Sequence, residues 1–130
     1  MRTTYLALAL ILFMLLPAAA QNKRELKATL KVLKFTASGT SNPSESLYEL
    51  SVQVTNAGKD RLAFSNNSFL LVDDSGKRHV VNRGRYPERF DLAPGETATA
   101  DRIFFTLPRD SKPVAAQLVL LRGVVGEAKL

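Results

Sequence analysis

From Leu26 the chain alternates. Leu26, Ala28, Leu30 and Val32 are apolar, and Lys27, Thr29 and Lys31 between them are polar. A period of two puts one set on each face of a half-buried strand. The apolar phase then moves to Leu33, Phe35 and Ala37. A slip of one residue predicts a bulge or a change of sheet. Residues 38 to 46, rich in serine with Gly39, Asn42 and Pro43, read as a loop. Tyr48, Leu50, Val52 and Val54 then alternate with Glu49, Ser51, Gln53 and Thr55, the clearest strand pattern in the chain. Asn56-Ala57-Gly58-Lys59-Asp60 is a turn, in which Gly58 accepts a positive φ at no steric cost.

Further on, Leu62 to Phe64 is a short strand and Ser65-Asn66-Asn67-Ser68 a polar break. Phe69 to Val72 and His79 to Val81 flank Asp73-Asp74-Ser75-Gly76-Lys77, the pattern of a hairpin. Residues 82 to 91 read as irregular and basic. Pro94-Gly95 fits the central positions of a type II turn. Thr97 to Leu107 and Val114 to Leu121 are two more strands, and residues 122 to 130 read as a loosening C-terminal tail. Helical periodicity is missing after the first 20 residues. Seven to eight short strands with turns about every ten residues predict an all-β fold, an immunoglobulin-like β-sandwich of about seven strands. A small β-barrel is the alternative. The expected core is Leu30, Val32, Leu50, Val52, Val54, Leu71, Ile103, Phe105, Leu118 and Leu120.

The first 20 residues follow another rule. Arg2 is followed by an apolar stretch from Tyr5 to Leu16, then Pro17 and Ala18-Ala19-Ala20. This is the order of a cleavable signal peptide, with the cut expected between Ala20 and Gln21. The apolar stretch is about 12 residues, short of the roughly 20 that span a bilayer. The expected organisation is a signal at 1–20, a polar lead-in at 21–25, one domain at 26–121 and the tail. A secreted or periplasmic product without a transmembrane span follows. The chain has no cysteine, so it can carry neither a disulfide nor a lipidated cysteine, and packing alone must hold the domain. Eighteen basic residues against twelve acidic ones give +6 at pH 7, one less once Arg2 leaves. That balance favours anionic partners through weak, salt-sensitive attraction.

The order of the strand and turn signals is familiar as a set. Leu50 to Thr55 followed by Asn56-Ala57-Gly58, the hairpin from Phe69 to Lys77, the Leu92-Ala93-Pro94-Gly95-Glu96 turn, and Phe105 to Asp110 together resemble the telokin-like immunoglobulin-fold domains. That bacterial group, of unknown function, occurs in secreted proteins and lipoproteins. The resemblance covers residues 26–121. It implies a seven-stranded sandwich and export, and supplies no catalytic residues. Without cysteine the chain departs from the lipoprotein members, and without cysteine or tryptophan it departs from antibody domains.

Candidate chemistry is sparse. His79 is the only histidine and lies on an expected strand without a nucleophile-elbow serine. It reads as a solvated strand residue. Asp73, Asp74 and Ser75 could offer oxygen atoms to calcium, but two carboxylates fall short of its usual ligand set, and a solvated turn explains them. No cofactor or metal site is expected. The suggestive surface is the basic stretch from Lys77 to Arg89, where Arg78, Arg83, Arg85 and Arg89 surround Tyr86. Arginine forks bind phosphate or carboxylate, and a ring can stack beneath a ligand. Local pairing with Glu88 and Asp91 is the plainer reading. The expected function is an exported, non-catalytic binding or interaction module, whose partner is a protein or an anionic envelope component rather than nucleic acid. The alternatives are a structural envelope component and a hydrolase using His79 or the carboxylates Glu88, Asp91 and Glu96.

Overall fold

The first alternating stretch becomes β1, Ala28–Gly39, which pairs antiparallel with β2, Glu45–Asn56. The phase change is a bulge: the register shifts between Val32 and Lys34. The bulge turns Leu33 out to solvent, where it is 49% exposed, and returns Phe35 to the core side. Phe35 stacks there on Tyr48, with centroids 5.3 Å apart. The computed structural model describes residues 25–84, 87–121 and 123–130. The signal segment with its Ala20–Gln21 junction lies outside the described residues.

The remaining strands are β3 at Leu62–Ser65, β4 at Phe69–Asp73, β5 at Arg78–Val80, β6 at Arg89–Leu92, β7 at Thr97–Pro108, β8 at Pro113–Leu120 and β9 at Gly123–Lys129. They form three antiparallel ladders: β1-β2-β7, β5-β4-β8-β9, and the pair β3-β6. The inner faces of the ladders meet in one core around Leu50, Val52, Val54, Phe69, Leu71, Ile103, Phe105 and Leu118. The fold is the expected all-β sandwich. Of the expected core residues, Val32 and Leu120 are only half-buried and pack against its rim.

Two expectations are corrected. The basic segment is not irregular to its end, because β6 forms where Phe90 and Leu92 turn inward against β3. The loosening tail is strand β9, paired along β8 from Leu120 to Ala115. Gly126 explains its position. A Cβ there would lie 2.7 Å from the Ala28 carbonyl oxygen and 3.2 Å from Leu30 Cγ. The missing side chain lets β9 lie against β1 and bring the two larger ladders together at one edge.

The turns are fixed by side chains. Gly95 has φ +85° and Glu96 N–H donates to the Ala93 carbonyl at 3.0 Å, as a type II turn requires. Buried Asn56 joins this turn to the one after β2. Its Nδ2 donates to the carbonyls of Asp60 (2.8 Å) and Leu92 (2.9 Å), and its Oδ1 accepts from Gly58 N–H (3.0 Å). The polar break at Asn66–Ser68 is one 3-10 turn. Ser65 Oγ accepts from Asn67 N–H, and Ser68 Oγ accepts from Ser65 N–H.

Candidate functional site

Beyond β5 the chain leaves its ladder and crosses to β7. Val81 turns inward, and Asn82 then acts as a short extension of the β7 edge. Its N–H donates to the Phe104 carbonyl at 2.7 Å, its Nδ2 donates to Thr106 Oγ1 at 2.8 Å, and its Oδ1 accepts from Thr106 N–H at 3.2 Å. The segment next passes the 3-10 turn, where the Glu88 carbonyl accepts from Asn66 N–H.

On the facing strand β7 bulges. Leu50 pairs with Ile103 and Val52 with Ala100, so Asp101 and Arg102 together oppose Ser51. Arg102 takes up the extra residue with φ +57°. A left-handed arginine inside a strand stores about 1 to 3 kcal/mol of strain, and such residues gather at functional sites. Asn66 Nδ2 donates to the Asp101 carbonyl at 3.2 Å and ties the turn to the bulge. Asn66 Oδ1 is buried and has no hydrogen-bond partner among the described residues.

These parts enclose an open depression of about 390 Å³. Val81, Ile103 and Phe104 give it apolar lining, and Asn66, Asn82, Glu88, Asp101 and Arg102 give it polar atoms of both kinds. A second depression of about 530 Å³ adjoins it and shares Asn67 and Pro87. Arg89 and Asp91 line this second one together with Phe64 and Phe90, whose rings stack at 4.9 Å.

Of the five residues expected to make one contact surface, the three that are described lie on different elements. Arg78 lies on the outward face of β5, Arg83 is exposed in the crossing segment, and Arg89 begins β6. Arg85 and Tyr86 lie outside the described residues. Among the described residues Asp91 pairs with Arg61, at 3.0 Å. Both partners are 62% exposed, so the pair contributes little. Sequence reasoning missed Arg102 and Asn66. Nothing in the letters marks Arg102, since asparagine and glycine are the usual left-handed residues. Asn66 sat in a stretch read as a polar break.

His79 is not a solvated residue. It is buried under the β4–β5 hairpin, and its Nε2 lies 2.8 Å from Asp73 Oδ2. Asp73 Oδ1 accepts from Ser75 Oγ (2.6 Å), Ser75 N–H (2.9 Å) and Lys77 N–H (3.0 Å). The carboxylate thus organises the hairpin, and its oxygens are already taken by donors rather than turned to a calcium ion. The Ser75 hydroxyl, then His79, then the backbone N–H groups of Lys77 and Ser75 hold the Asp73 carboxyl well below its ordinary 3.8, against the opposing effect of burial. A lowered folded-state value stabilises the fold above the unfolded value. That contribution is expected to be complete at neutral pH and to fade as pH falls below about 4 toward the lower folded value. Urea midpoints measured from pH 7 to pH 2 check this. Asp73→Asn should flatten the acid side of the profile, and an unchanged acid limb would remove the linkage.

The fold and site together define a small all-β sandwich with an open depression of mixed lining beside the β7 bulge. In structure the chain is similar to MPT63, a secreted protein from Mycobacterium tuberculosis, at a TM-score of 0.55 and 15% identity, over 78% of this chain and 81% of that one. It is also similar to ycdA of Bacillus subtilis, described as a lipoprotein, at a TM-score of 0.59 and 13% identity, over 83% of this chain and 37% of that one. At these identities the likeness is one of fold. No protein-family model matches the chain, and no curated protein matches it in sequence. Among the described residues no helix is long and apolar enough to cross a membrane.

Proposed function

We propose that the chain is an exported, non-catalytic binding module of the telokin-like immunoglobulin-fold group, and that it takes a small polar ligand in the depression beside the β7 bulge. The strained Arg102 carries this reading. A strand gains nothing structurally from a left-handed arginine, whereas a guanidinium aimed from a bulge suits a carboxylate or phosphate. Glu88 and Asp101 line the same depression and suit hydroxyl or amino groups of a ligand. The fitting class is therefore a small molecule with an acidic group and hydroxyl or amino groups. Export is supported by the signal pattern at 1–20 and agrees with the secreted and lipoprotein nature of the fold neighbours.

The non-catalytic part rests on His79. Its Nε2 is engaged by Asp73, and the Ser75 hydroxyl donates to that same carboxylate rather than to the imidazole. Aspartate stands in the middle of the chain of bonds, which is not the order of a serine relay.

Amide chemical shifts recorded with glucuronate and with inorganic phosphate test the site. Shifts centred on Asn66, Asn82, Glu88 and Arg102, and weaker at high salt, are expected for at least one probe. Arg102→Gly should abolish them while raising stability by about 1 kcal/mol, because glycine adopts a left-handed φ freely. Shifts spread evenly over the surface, or unchanged in Arg102→Gly, would sink the reading.

A further inference from the structure

Asp101 and Arg102 are neighbours in β7, and neighbours in a regular strand point to opposite faces. The bulge removes that separation. Both residues are exposed, and both line the depression beside it. A carboxylate and a guanidinium one residue apart therefore border one space. Among the described residues the ion pairs are Lys34 with Glu49, Arg61 with Asp91 and His79 with Asp73, so neither Asp101 nor Arg102 belongs to one. Glu88, exposed at the end of the crossing segment, adds a second carboxylate to the same lining and stands outside those pairs too.

Among the described lining residues, two carboxylates thus stand against one guanidinium. A ligand with an acid alone meets Arg102 together with repulsion from Glu88 and Asp101. A ligand that also carries an ammonium satisfies both signs through charge-assisted hydrogen bonds, the stronger kind. An α-amino acid has that pattern, with ammonium and carboxylate on one carbon. The adjoining depression indicates the rest of the molecule. Asn67 and Pro87 line both spaces, so a ligand can pass from one to the other. Ala63, Phe64, Pro87 and Phe90 give the second space its apolar lining. Phe90 is only half-buried, which leaves part of it for a ligand to cover. An aromatic side chain packs well on such a residue, offset or edge-on.

Resting on the binding reading above, we infer that the ligand is a free α-amino acid with an aromatic side chain. Its carboxylate pairs with Arg102 and its ammonium with Asp101 and Glu88. Its ring lies in the adjoining depression against Phe90.

Amide chemical shifts of the purified full chain, titrated with four probes, test each contact. L-phenylalanine carries all three groups. 3-Phenylpropionate lacks the ammonium, phenethylamine lacks the carboxylate, and L-alanine lacks the ring. L-phenylalanine is expected to bind about fivefold more tightly than each of the others. Glu88→Gln keeps the backbone carbonyl that accepts from Asn66 N–H and removes only an exposed charge. It should lower the preference for L-phenylalanine over 3-phenylpropionate several-fold, and Asp101→Asn should do the same. Equal affinity for L-phenylalanine and any one of the other three probes would overturn the inference. So would a preference unchanged in both variants. Shifts at the depression with glucuronate or phosphate, but none with L-phenylalanine, would overturn this inference and leave the binding reading standing. No shift there with any of the six probes would overturn both.

Discussion

Phe69→Ala is expected to destabilise the domain by about 3 to 5 kcal/mol, the range for removing a fully buried ring. Phe69 has no exposed surface and opens β4 in the core. It meets Phe64 edge-on at 6.0 Å, and Phe64 stacks on Phe90. The three rings join the β4 ladder to the small β3-β6 pair. Deleting the first leaves a cavity that a rigid sandwich cannot close. The loss should reach beyond β4, because β3 and β6 have few other anchors. Hydrogen exchange should show β3 and β6 amides losing protection out of proportion to those of β1. A urea midpoint that moves by less than about 1 kcal/mol equivalent would show that the ring is not central.

Asn56→Ala is expected to cost about 3 kcal/mol. The side chain is 1% exposed and fills three hydrogen-bond roles. Its removal leaves the carbonyls of Asp60 and Leu92 and the N–H of Gly58 to find new partners, and each buried unsatisfied group costs about 1 to 3 kcal/mol. The backbone of Asn56 adds two bonds to the same junction, donating to the Glu96 carbonyl at 2.9 Å and accepting from Gly95 N–H at 2.8 Å. These remain in the variant, which keeps the estimate near the lower end. Asn56→Asp distinguishes hydrogen bonding from simple volume. It keeps the shape and the acceptor for Gly58, yet sets a carboxylate against two carbonyl oxygens. At neutral pH it should unfold at least as easily as the alanine variant. Thermal melts of both variants check this, and a near-wild-type aspartate variant would refute the donor role.

Much of the architecture is legible in the letters because it depends on local periodicity. The alternation in β1 and β2, the slip at Val32 to Lys34, the Pro94-Gly95 turn and the β4–β5 hairpin are each set by side chains within a few residues. What escapes the sequence depends on distant partners. Arg89–Leu92 is too short and too charged to announce a strand, and β3 makes it one. Gly123 and Gly126 lie in the stretch read as a loosening tail, but Gly126 is the residue that fits β9 against β1. The His79 environment follows from a hairpin register that turns Asp73 and His79 to the same buried side. The candidate site is the least legible part. Its depression draws on the 3-10 turn, the crossing segment and a bulge in β7, three places whose proximity only the fold creates. The arginine-rich stretch drew attention in the sequence, while the arginine with the unusual backbone lies well outside it.

The contact of β9 with β1 has a kinetic consequence. The first strand of the sandwich is finished by the last one, so the contact spans nearly the whole domain. Folds dominated by such distant pairings form slowly, on the order of milliseconds to seconds. A nascent chain lacking Gly126 to Lys129 leaves the side of Ala28 and Leu30 uncovered, so closure waits until those last residues emerge. Until β9 is in place, the sandwich stays open along that edge.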